Sequence, residues 1–271
     1  MPELAEVEFF RRRWDVARGK TVKDVYLNPR ARDNRGLPIA KIKKALLGQK
    51  FLASQAAAKQ MAFYFSNHLW LGIHLGMTGE LAVGPAEREP KPHEHLVLKM
   101  SNGQELIFID PRQFGRVLFY QGQGVPEWWA KIAPPILSRA FTVQGVADFL
   151  KRHGRAPIKA VLLMQERFPG IGNWMADEVL WRAGFHPQAR AGNFGPQAIQ
   201  RLHRTLRQVC RDALKVMGKD WSDPPSHWLF NHRWSDGGKC PASRVLLKRA
   251  PIGGRTTCWS PAKQKLGAER R

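Results

Sequence analysis

The spacing of apolar residues changes partway along the chain, and this change constrains the fold more than any other feature. Before residue 122 the apolar residues come in short strand-like runs, at 21–27, 51–66, 69–75, 80–83, 95–100, 105–109 and 116–120. Ser101-Asn102-Gly103, between two of them, is a hairpin signal. Many short strands at close spacing predict a β-sandwich or barrel. Two helices flank it. One covers residues 3–18, where Leu4, Val7, Phe10 and Trp14 recur at three- and four-residue spacing before Gly19; the other covers 39–47, opened by Pro38 and closed by Gly48. Glycines and prolines cluster at 122–138, and beyond them the period turns helical over 143–152, 157–165, 173–183 and 196–216. The expected fold class is α+β: an N-terminal β-sandwich domain at 1–124, a linker at 125–138, a helical domain at 139–225 and a small basic unit at 226–271.

Charge narrows the partner. There are 44 Lys and Arg against 22 Asp and Glu, a formal net charge of +22, while 43% hydrophobic residues and ten tryptophans supply a core. This is no disordered basic tail. Such a surface requires a polyanion, with nucleic acid the first candidate and an anionic membrane surface the second. No run approaches the roughly 20 apolar residues of a membrane helix, and the acidic start Met1-Pro2-Glu3-Leu4-Ala5-Glu6 is the reverse of a signal peptide. Three cysteines, Cys210, Cys240 and Cys258, cannot build a disulfide framework, which fits a reducing cytosolic setting.

Five short blocks follow one another along the chain. They are Pro2-Glu3; His74-Leu75-Gly76-Met77-Thr78-Gly79; Asp110-Pro111-Arg112-Gln113-Phe114-Gly115; Gly170-Ile171-Gly172-Asn173 leading to Ala176-Asp177-Glu178; and Gly253-Gly254-Arg255-Thr256-Thr257. Each is weak alone. In this order they resemble the formamidopyrimidine-DNA glycosylase / endonuclease VIII family of base-excision-repair enzymes, over residues 2–264. The resemblance implies a helix–two-turn–helix element in the helical domain and a C-terminal β-hairpin finger. It also implies a DNA glycosylase with AP lyase activity, which flips a damaged base, cleaves the N-glycosidic bond through a Pro2 Schiff base and proceeds to β/δ-elimination.

The residue types suit that chemistry. Once aminopeptidase removes Met1, Pro2 carries a free secondary amine, and an α-amine titrating near pH 8 is appreciably neutral and nucleophilic at pH 7. Glu3 beside it is placed to protonate the sugar oxygen or shuttle protons, with Glu6 one turn on in support. The plainer reading of the same three residues is a good helix N-terminus. Lys59 in Ala58-Lys59-Gln60 matches the family's basic residue on a strand facing the active site; otherwise it is a solvated strand lysine.

A flipped base leaves a hole that must be filled. By resemblance Met77, Arg112 and Phe114 form the void-filling trio: a flexible thioether, a guanidinium for the orphaned base and a ring that wedges a step. Met77 and Phe114 as core residues is the alternative, opposed by the glycines around them. His74 reads equally as a buried structural histidine or a DNA-contacting residue. The 170–173 turn presents backbone N–H groups at a helix N-terminus, an anion site. There the resemblance gives Asn173 a phosphate beside the lesion, assisted by Lys159, and places Arg255 on a second phosphate at the finger tip. Trp174-Met175 and Pro169 depart from the usual turn.

The family's finger commonly holds zinc on four cysteines. Those positions here are Cys240, Ser243, Ser260 and Lys263, spaced as two, sixteen and two intervening residues. Three ligands are gone, so the expectation is a zincless finger, packed through Trp234, Val245, Leu247 and Trp259, with no metal and no organic cofactor. A rebuilt site from His227, His232, Cys240 and Cys258 is the alternative. The stretch 216–233 lacks the longer Gly/Thr-rich loop of the branch that excises 8-oxoguanine, and Ala5 replaces that branch's proline. The expected partner is double-stranded DNA containing a damaged base or an abasic site, met by a cytoplasmic, nucleoid-associated monomer. A non-catalytic binder of damaged or structured DNA and a basic RNA-associated protein are the competing functions.

Overall fold

A computed structural model describes residues 1–85, 89–267 and 269. The chain forms two compact units, Met1–Ile132 and Ala133–Arg271. In the first, helix α1 (Leu4–Arg13) tightens into a 3-10 turn at Trp14–Ala17, so the helix expected over 3–18 loses its α-geometry in its last turn. Strand β1 (Val22–Leu27) and helix α2 (Ile39–Leu46) follow, then β2 (Phe51–Ala57), β3 (Gln60–Phe65), β4 (Leu69–His74), β5 (Glu80–Pro85), β6 (Glu94–Met100), β7 (Gln104–Ile109) and β8 (Arg116–Gln121). The run at 51–66 is two strands, because Ala58 turns the chain at φ 56° and β2 and β3 pair antiparallel.

Among the described residues these strands make two antiparallel four-stranded sheets, ordered β1-β6-β7-β5 and β2-β3-β4-β8. Trp14, Phe51, Phe63, Phe65, Leu71 and Phe108 fill one continuous core with almost no exposure. Each such ring buried contributes about 2–3 kcal/mol, and Trp14 lies 4.6 Å from Phe63 between ring centroids. The expected sandwich is therefore present. At residues 125–138, expected as a plain linker, the chain makes a short helix, α3 (Glu127–Ala130), and Trp128 from it packs on Gly72, where a side chain could not fit.

The second unit is built from α4 (Val143–Arg152), α5 (Ile158–Leu162), α6 (Asn173–Ala183) and the long α7 (Pro196–Asp220), then a hairpin of β9 (Lys248–Ile252) and β10 (Arg255–Trp259). Thr142 caps α4 through its hydroxyl, and left-handed Gly184 ends α6. Residues 226–271 belong to this same unit rather than standing apart. Trp181, Leu229, Cys240, Leu247 and Cys258 form the small core that joins α6 to the finger. Trp234 and Val245, expected in it, are instead exposed.

Candidate functional site

In the first unit the site begins where α1 begins. Glu3 is the cap of the helix rather than part of its first turn: Glu6 Oε2 accepts the Glu3 backbone N–H at 3.0 Å, and the Glu3 carboxylate accepts the Glu6 backbone N–H in return. This reciprocal box holds both carboxylates in place, and Glu3 is only 3% exposed although it lies beside the chain terminus. Pro2 precedes it, half-buried. Lys59 occupies the turn between β2 and β3, not a strand, and its Nζ lies 4.0 Å from Met1 Sδ.

His74 ends β4. Its Nδ1 accepts the Gly76 N–H at 3.0 Å, so the ring shapes the start of the next turn. Burial, with Lys59 and Arg116 adding to it, lowers its pKa and keeps the ring neutral at pH 7. That turn carries Met77, and the turn after β7 carries Arg112 and Phe114. Met77 is 37% and Phe114 50% exposed, so neither is a core residue, and the Arg112 guanidinium lies 4.9 Å over the Phe114 ring. Gly76, at φ 62°, is pressed so closely on the second turn that an added Cβ would lie 2.4 Å from the Phe114 carbonyl carbon. The two turns are thus in backbone contact.

Behind them lies Asp110, part of the Asp110–Gly115 block but with no role expected from the sequence. Asp110 is fully buried, and its carboxylate accepts from Thr78 Oγ1 (2.7 Å), Phe114 N (2.9 Å), Gly115 N (2.7 Å) and Arg112 N (3.3 Å). The signal available was an aspartate directly before the Pro-Arg turn, where Asp commonly caps backbone N–H groups.

In the second unit the turn into α6 is held by Gln165, whose side chain donates to the Leu163 and Ile171 carbonyls and accepts the Gly170 N–H. Asn173 opens α6, half-buried, and its Nδ2 donates to the Thr256 carbonyl of β10 at 2.9 Å. Left-handed Gly253 and Gly254 make the hairpin turn, an added Cβ on Gly253 would strike Ala160, and Arg255 follows, exposed. Asn173 and Arg255 therefore belong to one surface. Lys159 does not, and here the expectation is corrected. It has no exposed surface, and its Nζ donates to the Asn173 carbonyl (2.6 Å) and to Asp177 Oδ1 (2.5 Å). Arg233 takes Asp177 Oδ2 at 2.7 Å, and the Cys258 N–H joins it at 3.0 Å. A buried cation is held where its counter-charge is; Lys159 braces the turn from beneath.

The finger positions do not suit zinc. Burial opposes ionisation of Cys240, yet hydrogen bonds from the Ser243 hydroxyl and backbone and from the Trp181 indole (3.4 Å) bring its thiol down to about 6. Lys263 places its ammonium 4.1 Å over the Trp181 ring. One sulfur, two serine hydroxyls and an ammonium do not make a zinc donor set. The alternative set of His227, His232, Cys240 and Cys258 is not assembled: among the described residues no three His, Cys, Asp or Glu group to hold a metal. Cys258, with its thiol pushed up to about 12 by burial and by Asp177, is a core residue. No described helix is long and apolar enough to cross a membrane.

Known proteins resemble this chain in sequence and in fold. The formamidopyrimidine-DNA glycosylase N-terminal domain matches residues 1–117, and the formamidopyrimidine-DNA glycosylase H2TH domain matches residues 132–223. Formamidopyrimidine-DNA glycosylase of Thermus thermophilus is 33% identical over 98% of this chain and its own full length; that of Arabidopsis thaliana is 29% identical over 98% of this chain and 71% of its own. Among solved structures, the Lactococcus lactis enzyme non-covalently bound to DNA containing an AP site superposes with a TM-score of 0.85, at 25% identity over 97% of this chain and 99% of that one. The MutM (Fpg) protein of Thermus thermophilus superposes at 0.80 and 30% identity, over 98% of this chain and all of that one. With such relatives along almost its whole length, the chain belongs to the formamidopyrimidine-DNA glycosylase family.

Proposed function

We propose that this base-excision-repair glycosylase is bifunctional, cleaving the N-glycosidic bond and then the DNA backbone with Pro2 as its nucleophile. The observation that carries the reading is the corner at the start of α1, where a buried Glu3 carboxylate is fixed by Glu6 immediately after Pro2, with Lys59 alongside. Removal of Met1 turns the Pro2 nitrogen from an amide into a secondary amine. That nitrogen attacks C1′ of the flipped nucleotide, the C1′–base bond breaks with its electron pair going to the base, and the proton released from the Pro2 nitrogen neutralises the departing base. Glu3 supplies the proton that opens the sugar ring at its oxygen, leaving an iminium on Pro2. The iminium acidifies C2′; loss of that proton expels the 3′ phosphate, a second elimination expels the 5′ phosphate, and water releases the sugar remnant from Pro2. Lys59 offers a cation to the lesion or its phosphate. Asn173 and Arg255 are read as DNA-phosphate contacts of the second unit.

The stretch after α7 leaves it at Trp221 and is short, which supports a preference other than 8-oxoguanine: ring-opened purines, oxidised pyrimidines, abasic sites or bulkier adducts. On this reading the protein works on nucleoid DNA. Borohydride trapping on abasic-site duplex tests the chemistry. Protein with Met1 removed should form a covalent complex; Pro2→Gly, which replaces the ring amine by a primary one, should weaken it, and Glu3→Gln should slow it by about 100-fold or more. Processed protein that never traps, or trapping undiminished in the double variant, would instead identify a non-catalytic binder of damaged DNA.

A further inference from the structure

We infer that Asp110 is the positioning residue of base flipping: its single carboxylate locks the two turns carrying Met77, Arg112 and Phe114 into one wedge that enters the duplex as a unit. This rests on the flipping step proposed above. The trio lies on two turns separated by more than 30 residues of sequence, on the β4–β5 and β7–β8 connections. The second turn is conformationally costly, because the non-glycine Gln113 lies in the left-handed region at φ 54°, and the first is pressed against it at Gly76. Asp110 bonds to both. Oδ1 takes the Thr78 hydroxyl, next to Met77, and the Arg112 N–H; Oδ2 takes the Phe114 and Gly115 N–H groups.

The chemistry requires a carboxylate. Four donors converge on two oxygens, and only an acceptor-only group with about four lone-pair sites satisfies them. An amide in the same place would turn its own N–H groups toward one pair of donors. Asp110 is also fixed from behind, because its N–H donates to the His93 carbonyl (3.0 Å) and its carbonyl accepts from His95 Nε2 (2.8 Å). His95 is 2% exposed, so this support is rigid. The wedge is thus tied to the core of the sheet while its three side chains stay exposed at the tips.

The test compares wild type, Asp110→Asn, Thr78→Val and Thr78→Ser. Insertion is read without chemistry, from the fluorescence of 2-aminopurine placed beside a tetrahydrofuran abasic analogue at saturating protein. The rate of borohydride trapping is read on an abasic duplex and on the same strand alone, where there is no stacked void to fill. Asp110→Asn should lose most of the insertion signal and about 10- to 100-fold of the duplex trapping rate, while trapping on the single strand stays close to wild type. Thr78→Val, a change at an exposed turn that leaves the fold intact, should show the same pattern more weakly, and Thr78→Ser should restore it. Unchanged insertion in Asp110→Asn and Thr78→Val, or equal losses on single strand and duplex, would overturn the inference. Wild type that inserts but traps on neither substrate would count against the Pro2 chemistry and leave the wedge standing.

Discussion

At Asp33 burial raises the carboxyl to about 6, with the His95 ring opposing the rise and Asp110 adding to it. Neither carboxylate oxygen has a hydrogen-bond partner, and the His95 Nε2 lies 3.7 Å away, already donating to the Asp110 carbonyl. A carboxyl whose folded pKa lies above its unfolded value of 3.8 stabilises the fold below that value and loses the contribution as pH rises through about 6. Wild type should therefore lose stability relative to Asp33→Asn between pH 4 and 6, by at most about 1.4 kcal/mol per pH unit. Denaturant titrations of both proteins across that window measure the difference. In the sequence, the glycines around Met77 and Phe114 told that these side chains stand at exposed turns rather than in the core. Lys159 was recognisable as a cation, but its partner Asp177 is 18 positions away and the Arg233 that completes the network 56 beyond that, so its burial could only come from tertiary packing.

Among the elements, the turn after β4 is the most tightly specified. A β-carbon at Gly76 meets the Phe114 backbone at 2.4 Å and must also adopt φ 62°. Gly76→Ala should cost about 2–4 kcal/mol, seen as a lowered thermal midpoint, because strain and overpacking act together. Strands and helices were legible wherever apolar spacing was strong, as in α1, α4 and α6. Breaks were less so: nothing at Ala58, an ordinary alanine, announces the left-handed turn that splits 51–66 into β2 and β3. The finger shows the same limit. Its hairpin was implied by the resemblance, but its core is Trp181, Leu229, Cys240, Leu247 and Cys258, and the contribution of α6 to it has no local signal.

At the scale of the whole molecule, a net charge of +22 gives affinity for any duplex and selects no lesion. Arg255→Ala should weaken binding to damaged and undamaged DNA alike and lower the slope of log K against log salt by about one, as a titration series at several salt concentrations would show. The change in apolar period near residues 122–138 brackets the boundary between the two units, at 132–133. The membership of residues 226–271 in the second unit was not legible, because it depends on long-range contacts such as Asn173 with Thr256.

Met1 touching Lys59 has a practical consequence. If the amine of Pro2 is the nucleophile, any extension left on the N-terminus caps the reactive nitrogen and keeps the lysine company, while the wedge, the turn into α6 and the arginine tip remain intact. An untrimmed or N-terminally tagged copy would then be an occupying decoy: it would settle on damage, shield it from its trimmed siblings and never cut. Repair capacity would follow the ratio of trimmed to untrimmed copies, not the total amount of protein made.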